Sequence, residues 1–432
     1  MKLERFSSLN YSRYNCAVKL IFVLFSLLFY STKLVAAYGN FNSVLIGEQA
    51  SGLGSAYTAM SGDSSSSGFY NPASLVKLEG TDISASATLF NKYDTTYGES
   101  NNLIDAGERV NRGFFRTIPS AIGNVYRWKK WAFGFSIVVP DYDFFSGNIA
   151  DGPNEQSFLS YTDESLWSGI VGSYKASPNE RFGISLYYTA RSLIRSSLDR
   201  TVASPTQEII TTEEKSIKHN ALVAVLGYQW DINQQWSLGV SARPPGLKIS
   251  GQGSYYQSVT DTNNLPSQIT QVRGSDADTY IPPRYSLGFK FQATEKTLFT
   301  IDGSYFGGHS YQDMELAEAS DRIEHVDTWN AAIGFQYKFE EPNFNLRLGA
   351  FTNNSSMAEI PAQPQFRTGE RMDLMGFSAN INFLVSDHSS YTIGGFYSGG
   401  DGQSVQRSGN QLVRLDKNHH IFSLLIATSY KF

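Results

Sequence analysis

Side chains able to titrate, ligate or attack are thinly spread along this chain. The six histidines stand at positions 219, 309, 325, 388, 419 and 420, and only His419 and His420 are neighbours. No spacing of His, Cys, Asp and Glu makes a metal-ligand set, so no metal or cofactor is expected. No serine sits in a nucleophile signature, and a hydrolytic site would need a Ser/His pairing that only the fold could create. No catalytic residue is expected. What the sequence offers instead is the chemistry of apolar recognition. Phe69-Tyr70-Asn71-Pro72-Ala73 joins two aromatic rings to a turn former. Phe114-Phe115 and Phe144-Phe145 are apolar pairs in stretches read as polar loops, where they would act as capture surfaces, interface anchors or loop cores. Arg284, Lys290, Lys338 and Arg347 are cations that could face a carboxylate, or could simply pair with Asp302 or with residues 38–80.

The elements that must position these residues are strands. From Ile421 to the terminal Phe432, residues Phe422, Leu424, Ile426, Thr428, Tyr430 and Phe432 share one face, and Ser423, Ala427, Ser429 and Lys431 the other. Period two with one apolar and one small or polar face suits a strand between lipid and a lumen. The same alternation predicts fourteen strands, at about 81–93, 119–128, 131–140, 165–175, 181–194, 216–230, 236–251, 279–291, 298–306, 328–339, 343–351, 372–384, 391–398 and 420–432. An even number is what an outer-membrane barrel with both termini on one side requires.

Connections alternate in length. Lys129-Lys130, Ala176 to Glu180, Asp231 to Gln235, Gln292 to Thr297, Glu340 to Pro342 and Val385 to Ser390 are short. The others, such as Arg191 to Lys215 and Gly251 to Asp278, read as long outer loops of roughly 20 to 30 residues. The composition agrees: 14% of the 432 residues are aromatic and 17% charged, and the net charge of -5 disfavours a nucleic-acid partner. Residues 1–37 read as a secretory signal, with Lys2, Arg5, Arg13 and Lys19 before an apolar run from Leu20 to Tyr30 and a Val35-Ala36-Ala37 cleavage site. Cys16 precedes that run, so the mature chain is expected to carry no thiol.

Residues 38–80 fit no strand. Gly47, Gly52, Gly54, Gly62 and Gly68, a serine run from Ser64 to Ser67 and little apolar content suit a segment packed closely inside a lumen rather than a free domain with its own core. Here the chain resembles the FadL/TodX family of outer-membrane transporters for long-chain fatty acids and other hydrophobic compounds. The resemblance rests on Gly52-Leu53-Gly54-Ser55-Ala56-Tyr57-Thr58-Ala59, on Asp63 and on Phe69-Tyr70-Asn71-Pro72-Ala73-Ser74-Leu75. It continues through Ile281-Pro282-Pro283-Arg284-Tyr285-Ser286-Leu287-Gly288, Asp302-Gly303-Ser304-Tyr305, Asp327-Thr328-Trp329-Asn330 and Asn345-Leu346-Arg347-Leu348-Gly349.

The resemblance implies an all-β fold: a 14-stranded antiparallel transmembrane barrel over 81–432 with residues 38–80 as an amino-terminal hatch. It also implies passive movement of a hydrophobic ligand, long-chain fatty acids first, through an internal apolar pocket and out through a gap near the third strand. Gly134, Ser136 and Pro140 are the candidates for that gap, since glycine and proline weaken a ladder; an ordinary strand end is the plain alternative. Asn71-Pro72-Ala73 would line the ligand route or serve as a structural turn. Partners would be the hydrophobic ligand, outer-membrane lipid and, through Phe432, the barrel-assembly machinery, with the protein a monomer. A surface protein that binds through its loops without transport is the rival reading.

Overall fold

The alternation that marks each strand in the sequence becomes two faces of a wall in the computed structural model. The structure describes residues 39–432 apart from 42, 79, 99–108, 152, 264–265, 316–321, 342, 365–369 and 409–410. The expected signal segment and Cys16 lie outside the described residues.

Fourteen strands form a closed ring: β1 Thr81–Tyr97, β2 Arg109–Trp128, β3 Trp131–Asp151, β4 Glu155–Lys175, β5 Glu180–Ser204, β6 Gln207–Asp231, β7 Trp236–Arg243, β8 Arg284–Gln292, β9 Thr297–Phe306, β10 Thr328–Phe339, β11 Phe344–Asn353, β12 Leu374–Leu384, β13 Ser389–Ser408 and β14 Gln411–Lys431. Each pairs antiparallel with the next. β14 returns to β1 with Lys431 opposite Asp82 and Ile426 opposite Ala87, so the sheet has no free edge. Leu247–Asp261 extends the β7 line along β6, Gln268–Ser275 pairs with that extension, and Arg371–Met372 adds a short rung on β13.

The outward face is apolar along the whole ring. On β10, Trp329 and Ile333 are exposed while Ala332 and Gly334 are buried. Trp128, Trp131, Trp236, Tyr391 and Tyr430 are exposed beside the short turns, the position of an interfacial aromatic girdle. A soluble protein could not carry such a belt in water. With every strand paired and the belt facing lipid, this is a multi-pass barrel of an outer membrane.

The short turns fall where the sequence puts them. The Lys129-Lys130 turn uses a positive φ of 57° at Lys129, as a two-residue hairpin turn demands. The long connections differ from expectation. Arg191 to Lys215 is not a loop but the continuation of β5 and β6, paired down to Ser204 and Gln207. Gly251 to Asp278 is largely a second hairpin. β2, β3, β4 and β14 likewise begin or end about ten residues beyond the lengths read from alternation. Beyond the bilayer neither face meets lipid, so the apolar signal fades while ladder hydrogen bonds persist. Two expected strands are shorter: 236–251 breaks after Arg243, and 279–291 begins only at Arg284.

Residues 44–78 lie in the lumen. They carry helix α1 Glu48–Gly52, helix α2 Ser64–Tyr70 and a 3-10 turn Pro72–Lys77, and are buried at nearly every position. Asp63 caps α2 by accepting from Ser65 N at 2.9 Å. The serine run is spent on bonds: Ser64 Oγ donates to Asp82 at 2.6 Å and Ser67 Oγ to the Asp63 carbonyl at 2.6 Å. Wall glycines admit this backbone. A Cβ on Gly183 would lie 2.3 Å from Pro72 C, and one on Gly349 2.1 Å from Gly54 N.

Candidate functional site

The Phe69 to Ala73 run is held tightly. Asn71, fully buried, donates from Nδ2 to Thr58 O at 2.7 Å and to Tyr228 O at 3.0 Å, and accepts from Ala73 N at 3.1 Å. The residue thereby ties two parts of the lumen segment to β6 and starts the following turn. Phe69 packs on Tyr70 and Trp167, with the Arg284 guanidinium 4.9 Å from its ring centre.

A cavity of about 180 Å³ lies in the lumen. Phe41, Val44, Leu193, Ile217, Phe396 and Ile421 supply its apolar lining. Among the described residues its lining does not include Phe69, Tyr70, Asn71, Pro72 or Ala73; the segment just before α1 provides that side. Charges also reach it, in pairs. Arg191 meets Asp163 at 2.5 Å, Lys215 meets Asp313 at 2.6 Å, and Lys417 is paired with Glu370. Arg195 lines it as well. Burial pushes the Glu370 carboxyl up, but the Lys417 charge and hydrogen bond, with help from Arg195 and Ser404, outweigh this and hold it below the usual carboxylate range.

The wall beside this chamber is interrupted between β2 and β3. Pairing runs from Trp128–Trp131 to Tyr126–Phe133, skips two steps, resumes at Gly123–Ser136 and stops at Ala121–Val138. At the skip, Asn124 Oδ1 accepts from Phe135 N at 2.7 Å, and a Cβ on Gly134 would lie 2.0 Å from Asn124 O. Ser136, fully buried, accepts from Tyr187 OH at 3.0 Å. Pro140 falls in the bulge between Val138 and Asp141 where β3 shifts register against β4. Beyond Val138, β3 continues on β4 alone while β2 continues on β1. The structure thus brings Gly134, Ser136 and Pro140 to one seam. Val44 N bonds Pro140 O at 3.2 Å and Ser43 Oγ accepts from Tyr142 N at 3.1 Å, so the lumen segment leans on the stretch of β3 that has parted from β2. A recess of about 580 Å³ also opens at this seam, and shares Ile118, Tyr142 and Arg191 with the chamber lining.

Other expected residues fall elsewhere. Phe114-Phe115 and Phe144-Phe145 are not in loops: the first pair lies within β2, opposite Asn91 and Phe90, and the second within β3. Phe145 is buried among Tyr97, Leu159 and Tyr161 because the long outer strands give it an inward face. Lys338 is exposed rather than inward, since it sits at the last turn where the wall ends. Arg347 is inward and meets Glu48 of α1 at 3.1 Å. Arg284 is buried too, but Asp302 forms no ion pair with it; Asp302 Oδ2 accepts from Tyr57 N and Thr58 N at 2.9 and 2.7 Å. The chamber cations Arg191, Arg195, Lys215 and Lys417 were not among the sequence candidates; all lie in stretches read as loop, or at a loop's edge.

No family model matches the sequence, and no curated protein matches it. The comparison with solved structures is informative. A FadL homologue from Pseudomonas aeruginosa superposes with a TM-score of 0.63 at 13% identity, covering 91% of this chain and 100% of its own. The P. putida toluene transporter TodX gives 0.64 at 13% identity, with 89% and 98% covered. The chain has the fold of the FadL and TodX transporters. The monoaromatic hydrocarbon channel CymD, at TM-score 0.60, 12% identity and 91% and 99% coverage, shares it. At such identities the agreement is one of architecture.

Proposed function

We propose that this FadL/TodX-like barrel is a passive channel for hydrophobic small molecules, with residues 38–80 as its hatch and the β2–β3 seam as its side exit. One observation carries the reading: the lumen chamber and the seam recess share Ile118, Tyr142 and Arg191 in their linings, so the same side chains border both spaces where the ladder is broken. A hydrophobic molecule gains nothing from a water-filled pore, because each methylene exposed costs about 0.8 kcal/mol. A side exit delivers it into the bilayer without that cost. No enzymatic step is needed.

Long-chain fatty acids are the first substrate class, supported by the apolar residues Phe41, Val44, Leu193, Ile217, Phe396 and Ile421 beside Arg191, Lys215 and Lys417, where a ligand carboxylate would compete with Asp163, Asp313 and Glu370 for their charges. Monoaromatic hydrocarbons are the second, supported by size. The chamber is about 180 Å³, and an apolar cavity of about 150 Å³ holds benzene. The test is uptake of labelled oleate and labelled toluene by cells with the gene, without it, and with Asn71 to Ala73 deleted. Gene-dependent uptake of either compound, impaired by the deletion, is expected; equal uptake in all strains would refute transport.

A further inference from the structure

The β2–β3 seam has a counterpart on the ring between β7 and β8. The two strands pair from Phe291–Trp236 to Arg284–Arg243 and stop there. Continuing the same register sets Pro244 opposite Pro283 and Pro245 opposite Pro282. None of these four residues has an N–H to give, so this stretch of ladder cannot form. The β2–β3 seam has a related arrangement, for its continued register sets Pro119 opposite Pro140 two steps past the last pair. Both ladders fail at a similar height above the short turns, near the length of about 9–11 residues that a tilted strand needs to cross a bilayer.

Past the prolines, the β7 line resumes along β6 as Leu247–Asp261, and regular pairing across the seam returns only at Gly253–Ser275. The segment 276–283 between Ser275 and β8 leaves the wall. Asp278 N bonds Asp313 O at 3.0 Å and Glu315 N bonds Asp276 O at 3.0 Å, so its partner is the β9–β10 connection. Asp278 and Thr279 line the chamber. On the outside, Leu247 and Ile249 are exposed apolar residues at the edge of the gap.

We infer that the β7–β8 gap is a second lateral portal from the same chamber to the lipid, closed here by residues 276–283 acting as a flap. The inference rests on the transport reading. The closure is slight. Among the described residues one main-chain hydrogen bond spans the gap, Gly246 N to Ile281 O at 3.0 Å, joined by Arg243 Nε to Pro282 O at 3.3 Å. Lys248 contacts Asp276 at 2.8 Å and Asp278 at 3.9 Å, and His219 lies 3.3 Å from Asp278. The Lys248 pairs are partly exposed and hold weakly. The flap also rests on a glycine: a Cβ at Gly251 would lie 1.8 Å from Ala277 O.

The test locks each seam separately in the full-length protein. Pro119→Cys with Pro140→Cys, opposed on the continued β2–β3 register, and Gly246→Cys with Ile281→Cys, already joined through Gly246 N and Ile281 O, set a cysteine on each side of the two gaps. Uptake of labelled oleate and toluene is then measured in cells before and after reductant. Locking β2–β3 should leave a substantial fraction of uptake, locking both seams should abolish it, and reductant should restore it, which separates closure from misfolding. Gly251→Ala, added to the β2–β3 lock, should displace the flap and raise the remaining uptake. Uptake that ends with the β2–β3 lock alone, in a protein whose unlocked form transports, overturns the second portal and leaves the transport reading standing. Absence of uptake by the unmodified protein overturns both.

Discussion

Pro119 and Pro140 fall opposite each other when the β2–β3 register is continued, two steps past the point where Ala121 and Val138 make the last pair. Neither can donate to the other's carbonyl, so the ladder cannot be resumed at this step once it has ended at Ala121–Val138. Replacing both with valine supplies two donors in extended backbone. At about 1 kcal/mol net for each bond gained, opening should become harder by enough to slow exit through this seam on the order of tenfold. Uptake of labelled oleate by the double variant with the β7–β8 seam locked through Gly246→Cys and Ile281→Cys measures this, and an unchanged rate would remove the β2–β3 seam from the route.

Gly183 stands where the β5 backbone meets Pro72, and a Cβ there would lie 2.3 Å from backbone atoms that cannot rotate away. Gly183→Ala should therefore push the Asn71 to Ala73 turn off the wall, at a cost of about 1–3 kcal/mol. Loosening the lumen segment should also admit ions. Planar-bilayer conductance of the variant is expected to exceed that of the parent, while the barrel remains intact on heat-modifiable gel migration.

Arg347 and Glu48 form a wall-to-lumen ion pair with side chains only 3% and 6% exposed. Arg347→Ala leaves Glu48 buried without its main partner, which should cost about 3–5 kcal/mol. Replacing both, Arg347→Met with Glu48→Leu, should recover most of that loss because no charge is left stranded. Denaturant midpoints in detergent for the three proteins test the pair, and equal midpoints for single and double variants would contradict it.

These residues also mark how far the sequence could be read. β10 emerges at 328–339 because alternation of Trp329 and Ile333 with Ala332 and Gly334 is enforced by lipid on one face and packing on the other. The seam residues Gly134 and Pro140 were legible because glycine and proline act on the backbone wherever they stand. The upper halves of β5 and β6 were not, since both their faces meet water or polar lumen and carry no period-two signal. The chamber was hidden for the same reason. Arg191, Lys215 and Lys417 converge only once these outer strands are known to continue, and the Pro244-Pro245 break needs the register of β7 and β8 to acquire a partner in Pro282-Pro283.

Glu370 should make the outer end of the chamber sensitive to acid. Its folded-state pKa lies below the ordinary carboxylate value of about 4.3, through Lys417 and its other partners, despite burial. A depressed folded value means that its stabilisation is complete above the ordinary value and is lost as pH falls through the folded one. Melting temperature in detergent should drop below about pH 4, and Glu370→Gln should flatten that slope. An identical acid slope in the variant would show that Lys417 does not depend on this partner.

Phe432 ends the wall without holding it. It is exposed, its N donates to Thr81 O at 2.8 Å, and its ring packs on Tyr430 at 4.8 Å. The β14–β1 ladder continues from Lys431 to Lys417 without it, so its removal takes little from the closed ring. If a terminal aromatic of a barrel acts as the signal read during assembly, deleting Phe432 should lower the amount of inserted protein while each inserted molecule keeps its uptake rate. Surface labelling counts inserted molecules, and labelled oleate measures uptake by the same cells. A normal amount of inserted protein with a reduced rate for each molecule would mean that Phe432 serves transport and not assembly.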